Sequence, residues 1–261
     1  MQNNGLVTTF RASDGNTIKL EHRDSLPSTS ELAREYARLN YPDRYAIVTE
    51  KRIIGAPGGS KPTDKGYEEG IFISCLLRSS LFPAQAAILG PLSAVAFATG
   101  LEEHTQKKIS IGWVKDIYCE GERIGGCTLE GRLDSHLSYE YIIISFSAVL
   151  DPKNFPPRLT DMVRQVFENE NLSIGTLMAK TILNKFFSIY RDMKNPSKYL
   201  DVYRNKFALT GKKIKYLNGD RKVSVRVMGV DKDTCSLIVE NSKGEITNVT
   251  SPANVIIPKK L

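Results

Sequence analysis

Ile109–Gly131 reads ISIGWVKDIYCEGERIGGCTLEG. Two β-like runs, Ile109–Tyr118 and Arg123–Glu130, flank Cys119-Glu120-Gly121-Glu122, where Gly121 supplies the permissive backbone of a tight turn. A hairpin is expected. It carries the single tryptophan, Trp113, with Asp116 three residues on, Arg123 just past the turn, and the pair Gly125-Gly126. Glycines inside a strand weaken it, so such a pair marks a bulge or a place where something approaches the backbone closely. A plain core hairpin with a buried tryptophan would show the same pattern.

Working outward, VTTF and TIKLEH read as short strands around the turn signal Asp14-Gly15. Ser28-Thr29-Ser30 precede ELAREYARLN, and a short side-chain oxygen there can cap a helix whose Leu32, Tyr36 and Leu39 share a face. Tyr45–Glu50 reads as a buried strand. The following KRIIGAPGGSKPTDKGYEEG is rich in glycine and charge, as a phosphate-cradling loop would be, but it fits neither common nucleotide-loop spacing. Gly70–Arg78 and Tyr139–Leu150 read as strands. Pro83–Glu103 reads as a buried helix that Pro91 should kink or split. Leu172–Met193 is amphipathic, with Ile174, Leu177, Met178, Ile182 and Phe186 at helical spacing. From Lys212 five short strands suggest a small barrel.

The chain has 261 residues and a net charge of +7, and residues 206–261 alone carry a net +6. A basic tail suits an acidic protein partner, nucleic acid, or simply solvent. The four cysteines and three histidines are scattered, with no C-x-x-C pair, so neither a disulfide framework nor a metal site is expected. No apolar run approaches the ~20 residues of a membrane span, and no signal peptide precedes the first strands. A reduced, cytoplasmic protein with no membrane contact is expected.

The hairpin resembles the central one of biotin protein ligases, which carry Trp-Pro-Asn-Asp, a turn, then Lys, two variable positions and Gly. Trp113, Asp116 and Gly126 match, while Lys115 and Arg123 stand at the Asn and Lys positions. Ser28-Thr29 match the start of the family's Ser-Thr-Asn run, with Ser30 at the Asn. The glycine-rich loop resembles the family's Gly-Arg-Gly-Arg-Arg-Gly-Arg at Gly55 and keeps a charge at Lys61. Ala56, Gly58 and Gly59 replace arginines, and Arg52 stands at a Gln position. The family's Gly-x-Gly-x-Asn strand end corresponds to Ser145-Phe146-Ser147-Ala148-Val149.

The resemblance implies an α+β fold: a mixed sheet with helices packed on one face over residues 1–205, and a small C-terminal β-barrel over 206–261. It implies ATP, biotin and Mg²⁺ as cofactors and substrates, and a biotin carboxyl carrier protein, or another acidic protein, as partner. Arg123 and Asp116 would be catalytic. Ser28, Thr29, Arg52 and Gly126 would line the biotin end. Gly55, Gly58, Gly59, Lys61, Trp113 and Lys115 would hold the nucleotide. A homodimer is compatible with the family. The repressor-type members carry a helix-turn-helix block that has no counterpart here, which argues against DNA binding. Loss of several forked guanidinium groups removes bidentate phosphate contacts. Two readings therefore stand: an ATP-dependent biotin ligase, and a catalytically inactive binding or scaffolding protein that keeps the fold. A ligase for a related acid such as lipoate is a third.

Overall fold

The computed structural model describes residues 5–54, 66–105, 107–150, 173–218, 221–257 and 260–261. Its main body is an eight-stranded sheet in the order β1-β2-β3-β4-β8-β7-β6-β5. The strands are β1 (Leu6–Arg11), β2 (Thr17–His22), β3 (Tyr45–Ile54), β4 (Gly66–Leu77), β5 (Ile109–Ile111), β6 (Asp116–Cys119), β7 (Glu122–Leu133) and β8 (Tyr139–Val149). Every neighbouring pair is antiparallel except β2 and β3. That parallel pair needs a crossover, and helix α1 (Thr29–Arg38) supplies it. Ser28 caps the helix by accepting from the Glu31 N–H at 3.2 Å.

The central strands are apolar on both faces because both are covered. From β4, Ile71, Ile73, Cys75 and Leu77 point into the larger cluster, which contains helices α3 (Leu89–Thr105) and α4 (Ile174–Arg191). The intervening Leu76 points to the other face, against Ala33, Tyr36 and Ala37 of α1. Among the described residues the longer helices thus share one face, and α1 lies on the other. On the α1 side the buried Glu21 accepts from Tyr45 Oη (2.8 Å) and Tyr36 Oη (3.2 Å) and pairs with Arg23. A buried carboxylate is tolerable only when satisfied in this way.

The expected apolar helix divides into α2 (Pro83–Ala86) and α3. The division falls before Pro91, which sits in the first turn of α3, where a missing N–H costs nothing. The stretch Pro83–Thr105 is, by length and composition, apolar enough to cross a membrane, contrary to the sequence expectation, but 67% of its most apolar window is buried inside the protein.

The hairpin at Ile109–Gly131 has one strand more than expected. Residues 112–115 turn the chain, so β5 and β6 pair with each other, and the Trp113–Val114 peptide bond is cis. Glu120 and Gly121 both have positive φ, as a two-residue hairpin turn requires.

Helix α5 (Ser197–Lys206) leads to a second sheet of β9 (Lys213–Asn218), β10 (Arg221–Val230), β11 (Leu237–Glu240), β12 (Ile246–Val249) and β13 (Val255–Ile256). Its order is β12-β11-β10-β9-β13. The five strands are as expected, but among the described residues no ladder joins β12 to β13, so this is a sheet with two edges rather than a closed barrel. Its core of Ile214, Val225, Val227, Leu237, Val239 and Val249 also holds Trp113. The indole Nε1 donates to the Cys235 carbonyl at 2.8 Å.

Two consequences can be measured. Trp113→Ala should cost about 3–5 kcal/mol, seen as a lower urea midpoint and as proteolysis of the C-terminal sheet before the main sheet. Glu50, on β3, accepts from the Gly175 N–H at the start of α4 and lies 3.9 Å from His22. Burial pushes its carboxyl up, but His22, the Gly175 N–H and Ser173 outweigh burial and hold it below the usual value. Its contribution should be complete above the ordinary glutamate pKa and fade as pH falls through the lower folded value. The stability gap between wild type and Glu50→Gln, from urea titrations, should therefore narrow on acidification.

Candidate functional site

Strands β3, β4, β8, β7 and β6 meet around a cavity of about 370 Å³. Its lining includes Arg52 from β3, Phe72 from β4, Ser147 and Val149 from β8, and Arg123 to Thr128 from β7. Lys115 enters from the turn before β6, and Asp116 from the first position of β6. Of the residues singled out in the sequence, Arg52, Lys115, Asp116, Arg123 and Gly126 are therefore brought together. Gly55, Gly58, Gly59 and Lys61 lie outside the described residues.

Backbone packing explains the glycine pair. A Cβ on Gly125 would stand 1.8 Å from the Ser147 carbonyl oxygen, and one on Gly126 would stand 2.7 Å from the Lys115 carbonyl oxygen. The close approach expected at this pair is thus made by the chain itself. It lets Cys127 N–H reach the Lys115 carbonyl at 3.0 Å, which ties the turn to β7. Where Ile117 and Tyr118 of β6 face β7, the register shifts and Arg123 comes opposite Tyr118, a bulge of the kind that re-aims a side chain.

The Arg123 guanidinium reaches back to Asp116, with Nη2 to Oδ1 at 2.7 Å. Asp116 is 7% exposed. Burial raises its carboxyl above the ordinary range even though Arg123 and Lys115 pull it down. Arg52 is ion-paired with Glu68 and lies over the Phe72 ring, 4.7 Å from its centroid. The two arginines are thus each matched by a carboxylate. Lys115 is exposed and takes part in no ion pair among the described residues. The cavity can receive an anion at Lys115, and at Arg123 by competition with Asp116.

Trp113 is placed elsewhere than expected for a nucleotide contact. It is 2% exposed and does not line the cavity, because its ring fills the core of the second sheet. Ser28 is used as the cap of α1. Thr29 is buried, and its hydroxyl bonds Ser74 at 2.8 Å, which in turn bonds Ser145 at 2.8 Å. These hydroxyls lie on the α1 face of the sheet, the face that carries Phe72 and Ser147.

Tyr203 of α5 was not anticipated. It is fully buried, and its hydroxyl lies 3.3 Å from the carbonyl oxygens of both Gly112 and Val114. It braces the turn that presents Lys115 and Asp116. Nothing in the sequence marks it among the other tyrosines. Glu68 was also missed, although it lies directly opposite Arg52 once β3 and β4 are paired.

No protein-family model matches the sequence. The bifunctional ligase/repressor BirA of Bacillus subtilis is 26% identical over 231 residues, which cover 86% of this chain and 70% of that protein. Among solved structures, the biotin protein ligase of Aquifex aeolicus in complex with biotin and ATP has a TM-score of 0.60 at 17% identity. That match covers 89% of this chain and 95% of the other. A biotin protein ligase-like protein of unknown function from Silicibacter sp. has a TM-score of 0.61 at 13% identity, covering 89% and 94%.

The charge pairing predicts opposite effects of two substitutions. Asp116→Asn should release Arg123 and tighten pyrophosphate binding about two- to five-fold, the scale of a partly exposed ion pair. Arg123→Ala should weaken it. Titration calorimetry with pyrophosphate reads both. Equal affinities across wild type and variants would place the anion site elsewhere.

Proposed function

The chain is a relative of the biotin protein ligases in sequence and fold, and on that premise we propose that it is an ATP-dependent ligase that activates biotin or a similar acid and passes it to a protein lysine. The observation that carries this reading is the convergence of Arg52, Lys115, Asp116 and Arg123 on one cavity. The first step joins a carboxylate oxygen to the α-phosphorus of ATP and releases pyrophosphate. The second joins the lysine amine to the acyl carbon and releases AMP. Such chemistry asks for positioning and charge stabilisation rather than a protein nucleophile.

Arg123 would move from Asp116 onto the α-phosphate and the acid's carboxylate, since its planar fork can grip either. Asp116, released at that moment, would orient the incoming amine and receive its proton. Its buried position, which raises its proton affinity, suits that task. Lys115 would hold the nucleotide phosphates, with Gly55, Gly58, Gly59 and Lys61 as further contributors from the glycine-rich loop. Ser28, Thr29, Arg52 and Gly126 would mark the biotin end. Among the described residues Asp116 is the one carboxylate in the cavity lining, so Mg²⁺ would be held chiefly by the triphosphate, whose charge it would offset. The acceptor would be a biotin carboxyl carrier protein or another acidic protein.

A second reading, binding or scaffolding without transfer, is favoured by two specific features. The Thr29, Ser74 and Ser145 hydroxyls already satisfy one another, and both arginines of the cavity are already paired.

Calorimetric titration with biotin, with and without ATP and Mg²⁺, separates the two. The ligase reading expects micromolar or tighter binding, strengthened by ATP, together with pyrophosphate exchange into ATP. Arg123→Ala should reduce that exchange by at least about a hundred-fold, the scale of one lost donor to developing charge. A folded sample that gives no heat with biotin and no exchange would leave the scaffold.

A further inference from the structure

The second sheet has two unlike faces. One is the core around Trp113. The other can be read from the register, because residues directly opposite on paired strands share a face. Lys213 lies opposite Arg226, which lies opposite Glu240. Lys215 lies opposite Ser224, and Lys222 opposite Leu217. Lys213, Lys215, Lys222 and Arg226 are all exposed. Among the described residues from 207 onward, the ion pairs are Lys232–Asp233 and Lys260–Glu122, so none of these four cations has an acidic partner. A groove of about 290 Å³ runs between Lys213, Ser224 and Arg226 on one side and Glu240 to Ser242 on the other.

Four cations without an ion pair outnumber Glu240, the carboxylate opposite Arg226 on this face; they repel one another, and an anionic partner would relieve that repulsion. Two features choose a protein over a nucleic acid. The cations are flanked by exposed aliphatic side chains, Ile246 (64% exposed) beside Glu240 and Ile256 (42%) beside Lys215. Apolar side chains surrounded by a polar, solvent-accessible rim are the anatomy of an interface with a protein. The face also lacks the aromatic platforms on which single-stranded bases stack. Phe207 and Tyr216, the aromatic residues of 207–261, pack against the inner core instead.

We propose that the outer face of the second sheet is a docking surface for an acidic protein segment. The surface is independent of the cavity and stands whether or not the chain transfers biotin. Because Trp113 fixes this sheet to the hairpin that carries Asp116 and Arg123, a partner seated on it is held in a set position relative to the cavity.

The test uses the full chain and two labelled probes of matched charge, a glutamate-rich peptide containing leucines and an oligothymidylate, read by fluorescence anisotropy at low salt. The peptide is expected to bind more tightly than the oligonucleotide. The double variant Lys213→Glu/Arg226→Glu should weaken it about ten-fold or more, the scale of like-charge juxtaposition at an interface. Lys19→Glu/Arg38→Glu, which reverses two exposed cations elsewhere, should change it less than about two-fold. If charge reversal impairs folding, Lys213→Gln/Arg226→Gln gives the same comparison. Equal losses in both double variants, no peptide binding, or tighter binding of the oligonucleotide would each overturn the proposal.

Discussion

A single short turn, residues 112–115, is held from three directions, and the arrangement of the molecule follows from it. Trp113 points out of the main sheet into the core of the second and donates to the Cys235 carbonyl. The Tyr203 hydroxyl meets the turn's carbonyl groups from α5. The Lys115 carbonyl accepts from Cys127 on β7. A buried indole contributes several kcal/mol of packing and a buried N–H must find an acceptor. The tryptophan therefore cannot leave its core to contact a ligand without uncoupling the two sheets.

Fixing the turn fixes the charges. Asp116 begins β6 and Arg123 begins the ascent of β7, so their separation is set by a two-residue turn and one bulge. The ion pair between them is half in water. Its Coulomb energy is modest, while the burial of Asp116 works against ionisation. Such a pair can open for a stronger anion without collapse of the structure around it, because hydrogen bonds to the backbone, and not the pair, hold the hairpin in place.

Much of this was legible in the sequence. Alternating and β-branched runs located the strands, the Ser28-Thr29-Ser30 run announced its helix, and the Trp113, Asp116 and Gly126 spacing brought the hairpin and the fold together. Long-range placement was not legible. Residues 109–118 read as one strand because Gly112 to Lys115 contain no strong turn dipeptide, and only the pull of Trp113 toward a second core bends them. That same pull moved Trp113 from an expected nucleotide contact to an inter-sheet anchor. Tyr203 and Glu68 became site residues through partners 89 and 16 positions away, distances over which local pattern carries no information.

The serines of β8 bear on what the cavity can accept. Ser147 lines the cavity, and Ser145 lies two positions away on the same face of β8. A hydroxyl already bonded to another hydroxyl presents a spare lone pair more readily than a spare proton, and it resists desolvation by an apolar ring. A ligand that reaches from Ser147 along the same face of β8 toward Ser145 therefore meets the Thr29–Ser74–Ser145 hydroxyl chain, which polar groups of its own can extend instead of breaking.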